Sequence, residues 1–295
     1  MKNFILPGVS ENFELNQALI ILHDNHPEFF INNFNIECVY GNFNMCLWNG
    51  GRVFNDYNTL SKEDIESIYN FYKEYNIPVR LTMTNFMLEK KHLQDRFSNL
   101  LMEIFNDPMN QVVIASPLLE EYIRNKYPNY KICSSTTKCL KNAADIKKEL
   151  NSGYYQVCLD YNINHKKELL ESFNENEKNT TEFLCNAICP PGCKYRQEHY
   201  KLNGISTNQL GRRFSVPFCP ITSTCYSEHT FNYKNNISPE EIETYYEPLG
   251  FSHFKLEGRT LPNYEVLMIY IHYLIKPQYK EMAIYNILDY INHNY

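Results

Sequence analysis

The segment Gln111-Val-Val-Ile-Ala-Ser-Pro-Leu-Leu-Glu-Glu-Tyr-Ile-Arg-Asn-Lys-Tyr-Pro-Asn-Tyr-Lys-Ile-Cys-Ser-Ser135 contains one complete strand-helix-strand unit. Its beginning, 111–116, is an apolar run that Pro117 ends, as expected of a buried strand. The stretch 118–126 carries apolar residues at helical spacing, and 130–135 is a second short strand. Such a succession is typical of a parallel sheet with helical crossovers.

The same alternation continues along the chain on both sides of this unit. Helices are predicted at 11–23, 61–75, 88–105, 143–150, 166–173 and 238–249, and a solvated run at 174–180. The predicted strands centre on Ile36, Val79, Val112, Ile132, Val157, Phe183 and Phe254, with an eighth near 214–222. The pattern predicts an α/β fold, a single (β/α)8 TIM-type barrel over 1–262. The segment 263–295 is expected to form a helical extension that packs on the barrel.

A doubly wound sheet is the alternative topology. It would be expected to carry a glycine-rich phosphate turn after the first predicted strand, and Gly41-Asn-Phe-Asn44 is not such a turn.

The composition describes a mildly acidic globular protein. The chain has 295 residues, a formal net charge of −6 and ten cysteines. No global basic field indicates nucleic acid, so DNA binding is not expected. Neither a signal peptide nor a membrane-spanning run is recognisable, which predicts a cytoplasmic protein whose thiols are reduced and available to a metal.

Cysteines concentrate around a Pro-Pro-Gly turn. Cys185, Cys189 and Cys193 follow one another at equal intervals, and Cys219 lies beside Pro220. Thiolates are soft ligands that suit zinc or an iron-sulfur cluster, and this spacing lets several sulfurs converge. The pattern predicts a metal-binding loop at 185–225 after the sixth predicted strand. Buried free thiols are the alternative, and spacing does not distinguish zinc from iron-sulfur.

In a barrel, function resides at the carboxyl ends of the strands. Asp160 is a candidate general base or a polar contact. Arg259 suits a carboxylate or phosphate and Glu257 could orient it, unless the two only close the rim. Gly258 between them indicates a close backbone approach. These three polar residues are the candidate catalytic set, within a polar rim that also includes Asn44, Thr84, Asn85, Ser116, Ser134, Ser135, Asn162 and Asn186.

The segment Phe254-Lys-Leu-Glu257-Gly258-Arg259-Thr260 resembles the Lys-Ile-Glu-Gly-Arg signature of the collagenase-like peptidases of the U class, the U32-like proteins. The cysteine-rich loop is similar to theirs as well. The resemblance covers about 37–259 and implies a barrel with a [4Fe-4S] cluster. It also implies oxygen-independent hydroxylation, because members of that family act on ubiquinone precursors or on RNA bases.

Carried over to this chain, the resemblance implies that Cys185, Cys193 and Cys219 are cluster ligands and that Cys189 is the fourth. The close spacing of the thiols departs from the family pattern, which leaves substitutes open. These are Cys38, Cys46, Cys225, His199 and His229.

We therefore expect an iron-sulfur enzyme that modifies an aromatic ring in RNA, a quinone precursor or another small molecule, with an electron donor or partner protein. Basic residues near the loop, Lys194, Arg196, Arg212 and Arg213, form either a solvated face or a site for a phosphate-bearing substrate such as RNA. Proteolysis is disfavoured because the chain has neither a Gly-x-Ser-x-Gly nor a His-Glu-x-x-His motif. The alternatives are a scaffold with a structural zinc and an atypical radical S-adenosylmethionine enzyme, a class that places its cysteine loop after the first strand.

Overall fold

The structure is a computed structural model that describes residues 1–51, 59–209, 233–259 and 261–295. Eight parallel strands form a closed barrel in which each strand pairs with the next along the chain and the last pairs with the first. The predicted (β/α)8 barrel is thereby confirmed. The strands are β1 Lys2–Pro7, β2 Phe34–Gly41, β3 Val79–Met83, β4 Gln111–Ile114, β5 Lys131–Ser134, β6 Gln156–Cys158, β7 Thr181–Leu184 and β8 His253–Lys255.

Helices connect the strands and end the chain. Several begin at a side-chain cap, as at Ser61, whose hydroxyl accepts a hydrogen bond from the Asp64 backbone N–H at 3.1 Å. The helices are α1 Phe13–Asn25, α2 Lys62–Glu74, α3 Arg96–Ile104, α4 Pro117–Lys126, α5 Ala143–Leu150, α6 Lys167–Glu171, α7 Glu175–Thr180, α8 Arg196–Asn208, α9 Pro239–Glu241, α10 Asn263–Leu274 and α11 Lys280–Asn294.

One strand of the barrel, β1 at the N-terminus, was not predicted from the sequence. The strand predicted near 214–222 lies outside the described residues, and β7 pairs directly with β8, with Glu182 opposite His253. The missed strand, β1, is a short apolar run that ends at Pro7 and Gly8, where φ is +84°. Consequently the cysteine loop follows the seventh strand rather than the sixth.

Four helical segments differ from the sequence prediction. The helix predicted at 238–249 begins as α9 and continues as a π-helix over Ile242–Tyr246. The single helix predicted at 88–105 is divided, because Asp95 ends a short 3-10 turn and caps α3 by accepting a hydrogen bond from the Ser98 N–H at 2.8 Å. The predicted solvated run 174–180 contains α7, which opens with a capping box at Asn174. The helix α8 was not predicted. No helix among the described residues is long and apolar enough to cross a membrane.

The two faces of the barrel strands have opposite chemistry. Strand side chains alternate between the helices and the barrel interior, hereafter the lumen. The helix-facing side chains form the main apolar core, and each large one contributes about 1.5–3 kcal/mol on full burial. They include Phe4, Leu6, Val39, Val79, Leu81, Val112, Ile114, Ile132, Val157, Phe183 and Phe254. Bulky branched residues usually fill such a lumen as well, but here it is largely polar.

Candidate active site

A cavity of about 70 Å³ opens at the carboxyl ends of the strands, and we call it the mouth pocket. One water molecule needs roughly 10–15 Å³ of such space, so the pocket accepts a small ligand or the head of a larger one. Its lining includes the predicted rim residues Thr84, Ser135, Glu257 and Arg259. The sequence had not indicated the remaining polar lining residues, which are Tyr40, Thr82, Thr136, Thr137, Tyr200 and Lys255.

The guanidinium of Arg259 is buried and held in the wall of the mouth pocket. Its Nη1 donates a hydrogen bond to Thr82 Oγ1 at 2.9 Å, and its Nη2 donates to Asn49 Oδ1 at 3.0 Å. The Glu11 carboxylate lies 3.7 Å from Nη1. These contacts fix the orientation of the planar group, which suits recognition of a carboxylate or phosphate.

Glu257 connects the mouth pocket to the cysteine loop. Its Oε2 accepts a hydrogen bond from the backbone N–H of Ile188 at 2.8 Å. The Asn186 side chain donates a hydrogen bond to the Glu257 carbonyl at 2.9 Å and accepts one from the Glu257 N–H at 2.7 Å. A Cβ on Gly258 would lie 3.2 Å from side-chain atoms of Pro7, which agrees with the close backbone approach expected there. The loop after β7 and the end of β8 are therefore locked together.

Lys255 places a second cation in the wall of the mouth pocket. Its ammonium lies 3.5 Å from Glu182 Oε1 and 4.0 Å from the ring centroid of Tyr40. This residue was not among the candidates predicted from the sequence. Side chains alternate along β8, and Phe254 faces the helices, so its neighbour Lys255 faces the lumen. This alternation could have identified Lys255 from the sequence.

Below the mouth pocket, a polar network fills the lumen, and Arg80 lies at its centre with no solvent exposure. Arg80 donates to Gln111 Oε1 at 2.7 Å, and its other nitrogens bond to Gln156 and to Glu182 across the barrel. Burial alone would raise the pKa of the Glu182 carboxyl, but Arg80 and Lys255 lower it to about 2. Glu182 is therefore a structural anion that balances two cations.

Asp160, the predicted general base, lies in a buried ion pair. Its Oδ2 accepts a hydrogen bond from Arg196 Nη1 at 2.7 Å, and its Oδ1 accepts one from the Asn162 N–H at 2.9 Å. Arg196 also donates to Thr136 Oγ1 at 3.1 Å and stacks 4.3 Å from the ring centroid of Tyr161. A catalytic role for Asp160 stays a prediction, and the geometry shows that it anchors the first turn of α8.

The helix α8 crosses the carboxyl end of the barrel. Its first residue, Arg196, donates hydrogen bonds to Thr136 in the loop after β5 and to Asp160 in the loop after β6. At its other end, Asn208 donates to the Met87 carbonyl at 2.8 Å and accepts from Asn85 at 2.9 Å, after β3. Asn203 donates to the Gly51 carbonyl at 3.3 Å, and Tyr200 lines the mouth pocket between these anchors. We call α8 the cover helix.

Two of the predicted ligand cysteines lie together on the loop that precedes the cover helix. The Cys189 and Cys193 side chains are within hydrogen-bonding reach of each other, and Tyr161 lies against Cys189. The Cys193 N–H donates to the Pro190 carbonyl at 3.2 Å, which closes the Pro-Pro-Gly turn. Burial raises the pKa of the Cys189 thiol to about 12, a shift that a bound metal would reverse.

Cys185 lies apart from this pair. It is buried in the main apolar core, and its carbonyl accepts a hydrogen bond from the Ile237 N–H at 2.8 Å. Cys189 instead packs on a small cluster that includes Tyr161 and Leu184. Among the described residues no three His, Cys, Asp or Glu side chains converge on a metal position. The described residues thus bring two thiols together, whereas a structural zinc or a [4Fe-4S] cluster usually has four protein ligands.

The remaining candidate ligands are divided between other parts of the chain. Cys46 lies 3.4 Å from the Ser98 hydroxyl in the main core, and Cys38 packs with Ile5 in the lumen. His199 is part of the cover helix. Cys219, Cys225 and His229 lie outside the described residues.

No protein-family model matches the sequence, and no curated protein matches it either. Among solved structures, the chain is similar to the U32 peptidase Mk0906, with 14% sequence identity and a TM-score of 0.55. The likeness covers 89% of this chain and 94% of that chain. It shows a shared fold along nearly the whole of both chains, in agreement with the U32-like fold expected from the signature at 254–260.

Proposed function

We propose that this protein is a redox enzyme of U32-like fold that binds a small polar substrate in the mouth pocket, beside an iron-sulfur cluster on the cysteine loop. One observation carries the proposal. The Glu257 carboxylate, in the pocket wall, accepts a hydrogen bond from the backbone N–H of Ile188, the residue before Cys189. The Glu257 side chain therefore links the wall of the mouth pocket to the residue next to the thiol pair.

The mouth pocket offers groups for binding and for proton transfer. Lys255 and Arg259 can stabilise a negatively charged oxygen of a substrate. Glu257 can exchange a proton with the substrate, because carboxylates in such pockets act as general acids or bases. In this proposal Asp160 acts through the cover helix, which it holds against the barrel by its ion pair with Arg196.

The cluster is proposed to be a [4Fe-4S] centre with Cys189, Cys193 and Cys219 as ligands. Such a centre supplies electron transfer or binds an oxygen-bearing ligand at an open iron. Cys185 is also a ligand in the set expected from the sequence, but it is packed in the apolar core, and metal analysis of Cys185→Ala tests its participation. Cytoplasmic placement fits the proposal, since the eight cysteines among the described residues are free thiols.

The experiment is metal and sulfide analysis of protein purified without oxygen. We expect about four iron and four sulfide per chain, lost in both Cys189→Ala and Cys193→Ala. Cys139→Ala is the matched control, because this buried thiol lies outside the loop. Retention of iron in Cys185→Ala would assign Cys185 to the core, and its loss would restore the four-cysteine set.

Two results would contradict the redox proposal. One zinc per chain without iron would favour the alternative of a binding or scaffold protein with a structural metal. If the protein contains neither zinc nor iron, the loop holds only free thiols and no metal centre.

The finer proposal is oxygen-independent hydroxylation of an aromatic ring in RNA, a quinone precursor or another small molecule. It is tested by mass spectrometry of RNA nucleosides and quinone intermediates from anaerobically grown cells with and without the protein. A product that lacks one oxygen atom in the deficient cells would support it. Unchanged nucleosides and quinones would contradict these two substrate classes.

A further inference from the structure

The thiol pair of Cys189 and Cys193 is sufficient for one reaction that needs no metal. The two side chains are within hydrogen-bonding reach of each other, at the two ends of the Pro-Pro-Gly turn. A metal centre needs further ligands, and among the described residues no third His, Cys, Asp or Glu side chain joins the pair. A disulfide needs only two neighbouring sulfurs, and the described residues provide them.

Contacts with the loop after β6 hold the turn between the two cysteines in place. The Gly192 N–H donates a hydrogen bond to Asn162 Oδ1 at 2.9 Å, and the Tyr161 hydroxyl donates one to the Pro190 carbonyl at 3.1 Å. These contacts add to the backbone hydrogen bond that closes the turn. Two groups that are held close together react with each other much faster than with a free molecule, because little further entropy is lost. The turn therefore favours closure of a bond between the two sulfurs.

Exposure distinguishes the pair from the other described thiols. Cys189 and Cys193 are partly exposed, whereas the six remaining cysteines among the described residues are buried, namely Cys38, Cys46, Cys133, Cys139, Cys158 and Cys185. Cysteine oxidation follows access, so a small oxidant reaches the pair first. Cys185 gives the sharpest comparison, because three residues separate it from Cys189, as three separate Cys189 from Cys193, yet it lies in the apolar core.

We propose that Cys189 and Cys193 form a reversible disulfide by exchange with a small-molecule disulfide such as oxidised glutathione. The thiolate of one cysteine attacks the small disulfide and releases one small thiol, which leaves a mixed disulfide on the protein. The second cysteine then displaces the other small thiol and closes the protein disulfide. The two cysteines lose two electrons and two protons in total, and the small disulfide gains both, so no other oxidant is required.

Disulfide formation does not depend on the proposed cluster, and it adds a second chemistry to the same loop. A disulfide uses both sulfurs, so a protein that carries it cannot offer Cys189 and Cys193 to iron. Cysteines that are bound to a cluster are in turn withheld from the small disulfide. The oxidised pair is therefore a form of the protein without a cluster on these two residues, and reduction restores both thiols.

The test is treatment of the full-length protein with oxidised glutathione after an iron chelator, followed by alkylation of the free thiols, trypsin digestion and mass spectrometry. The tryptic peptide 179–194 contains Cys185, Cys189 and Cys193. In the wild type it is expected to carry one alkyl group, on Cys185, and one disulfide, which dithiothreitol converts to two free thiols. Cys193→Ala should instead keep one glutathione on Cys189, because the cysteine that displaces it is absent. Cys185→Ala is the matched control and should still form the disulfide.

Three results would overturn the assignment of the disulfide. A wild-type peptide with all three cysteines alkylated would show that the pair does not react. A glutathione that stays on Cys189 or Cys193 in the wild type would show that the pair does not close. A bond from either residue to any other cysteine would identify a different pair. Failure of disulfide formation and failure of the proposed function are distinguishable, because iron and sulfide analysis before the chelator is added reports on the cluster alone.

Discussion

The lumen and the cover helix are both polar, but they are built differently. In the lumen, Arg80 and Glu182 are fully buried, and each is held by several partners from different strands. The cover helix is attached to loops at the mouth of the barrel by a buried ion pair, Asp160 with Arg196, and by hydrogen bonds at its other end. The lumen network therefore joins the strands to one another, whereas the cover helix is joined to the loops that follow them.

This difference indicates a division of roles. Removing one member of a buried network leaves an uncompensated charge, so the lumen should behave as part of the folding core. A helix that is attached to loops rather than to the barrel strands can open locally at lower free energy than global unfolding. We therefore expect changes in the lumen to alter stability, and changes in the cover to alter ligand binding.

The largest effect is expected from Glu182→Gln. The substitution leaves Arg80 buried without its anion, and the free energy of unfolding should fall by about 3–5 kcal/mol. Denaturant unfolding followed by circular dichroism measures this change. Adding Arg80→Met to the variant should recover part of the loss, because the buried charge is then removed; an equally unstable double variant would refute the charge explanation.

The ion pair between Arg80 and Glu182 should also make the free energy of unfolding depend on pH in the acid range. Because the folded-state pKa of Glu182 is depressed from 4.5 to about 2, its contribution to stability is present above pH 4.5 and is lost as the pH falls towards 2. The shift corresponds to roughly 3 kcal/mol. Unfolding free energies measured between pH 5 and 2 should fall more steeply for the wild type than for Glu182→Gln. Parallel curves would show that other carboxylates dominate.

A smaller and local effect is expected from Asp160→Asn. Loss of the charged hydrogen bond to Arg196 should destabilise the attachment of the cover helix by about 1.5–3 kcal/mol. Amide hydrogen exchange should accelerate within 196–208 while the strand amides of β3 and β7 stay protected. Glu198→Gln, an exposed change on the same helix, is the control. Uniform acceleration across the barrel would mean that the cover belongs to the folding core.

The smallest effect on stability is expected from Arg259→Lys, which keeps the charge but loses the fork geometry. The Lys ammonium does not reproduce both guanidinium hydrogen bonds, to Thr82 and to Asn49, and the free energy of unfolding should fall by about 0.5–1.5 kcal/mol. Denaturant unfolding measures this change, and Arg96→Lys, an exposed substitution in α3, is the control. An unchanged free energy of unfolding would show that the fork geometry of Arg259 does not stabilise the barrel.

Local sequence determined the barrel because strand faces are encoded by neighbouring residues. Val79, Val112, Ile132, Val157 and Phe183 were each predicted as strand centres, and each lies on a strand with its side chain in the helix-facing core. The rim residues Glu257 and Arg259 followed from the same reasoning, since the carboxyl ends of parallel strands meet at one edge. The first strand was missed because its apolar run is short and ends at Pro7.

Only the tertiary structure decided which polar side chains meet. Arg80 and Glu182 lie on opposite sides of the barrel and 102 positions apart in the chain, so no local pattern relates them. Equal spacing suggested that Cys185, Cys189 and Cys193 act together, yet a strand end places Cys185 in the core while a turn brings the other two together. Spacing gives only the separation of the cysteines along the chain. The direction of each cysteine side chain depends on the conformation of the backbone between these residues.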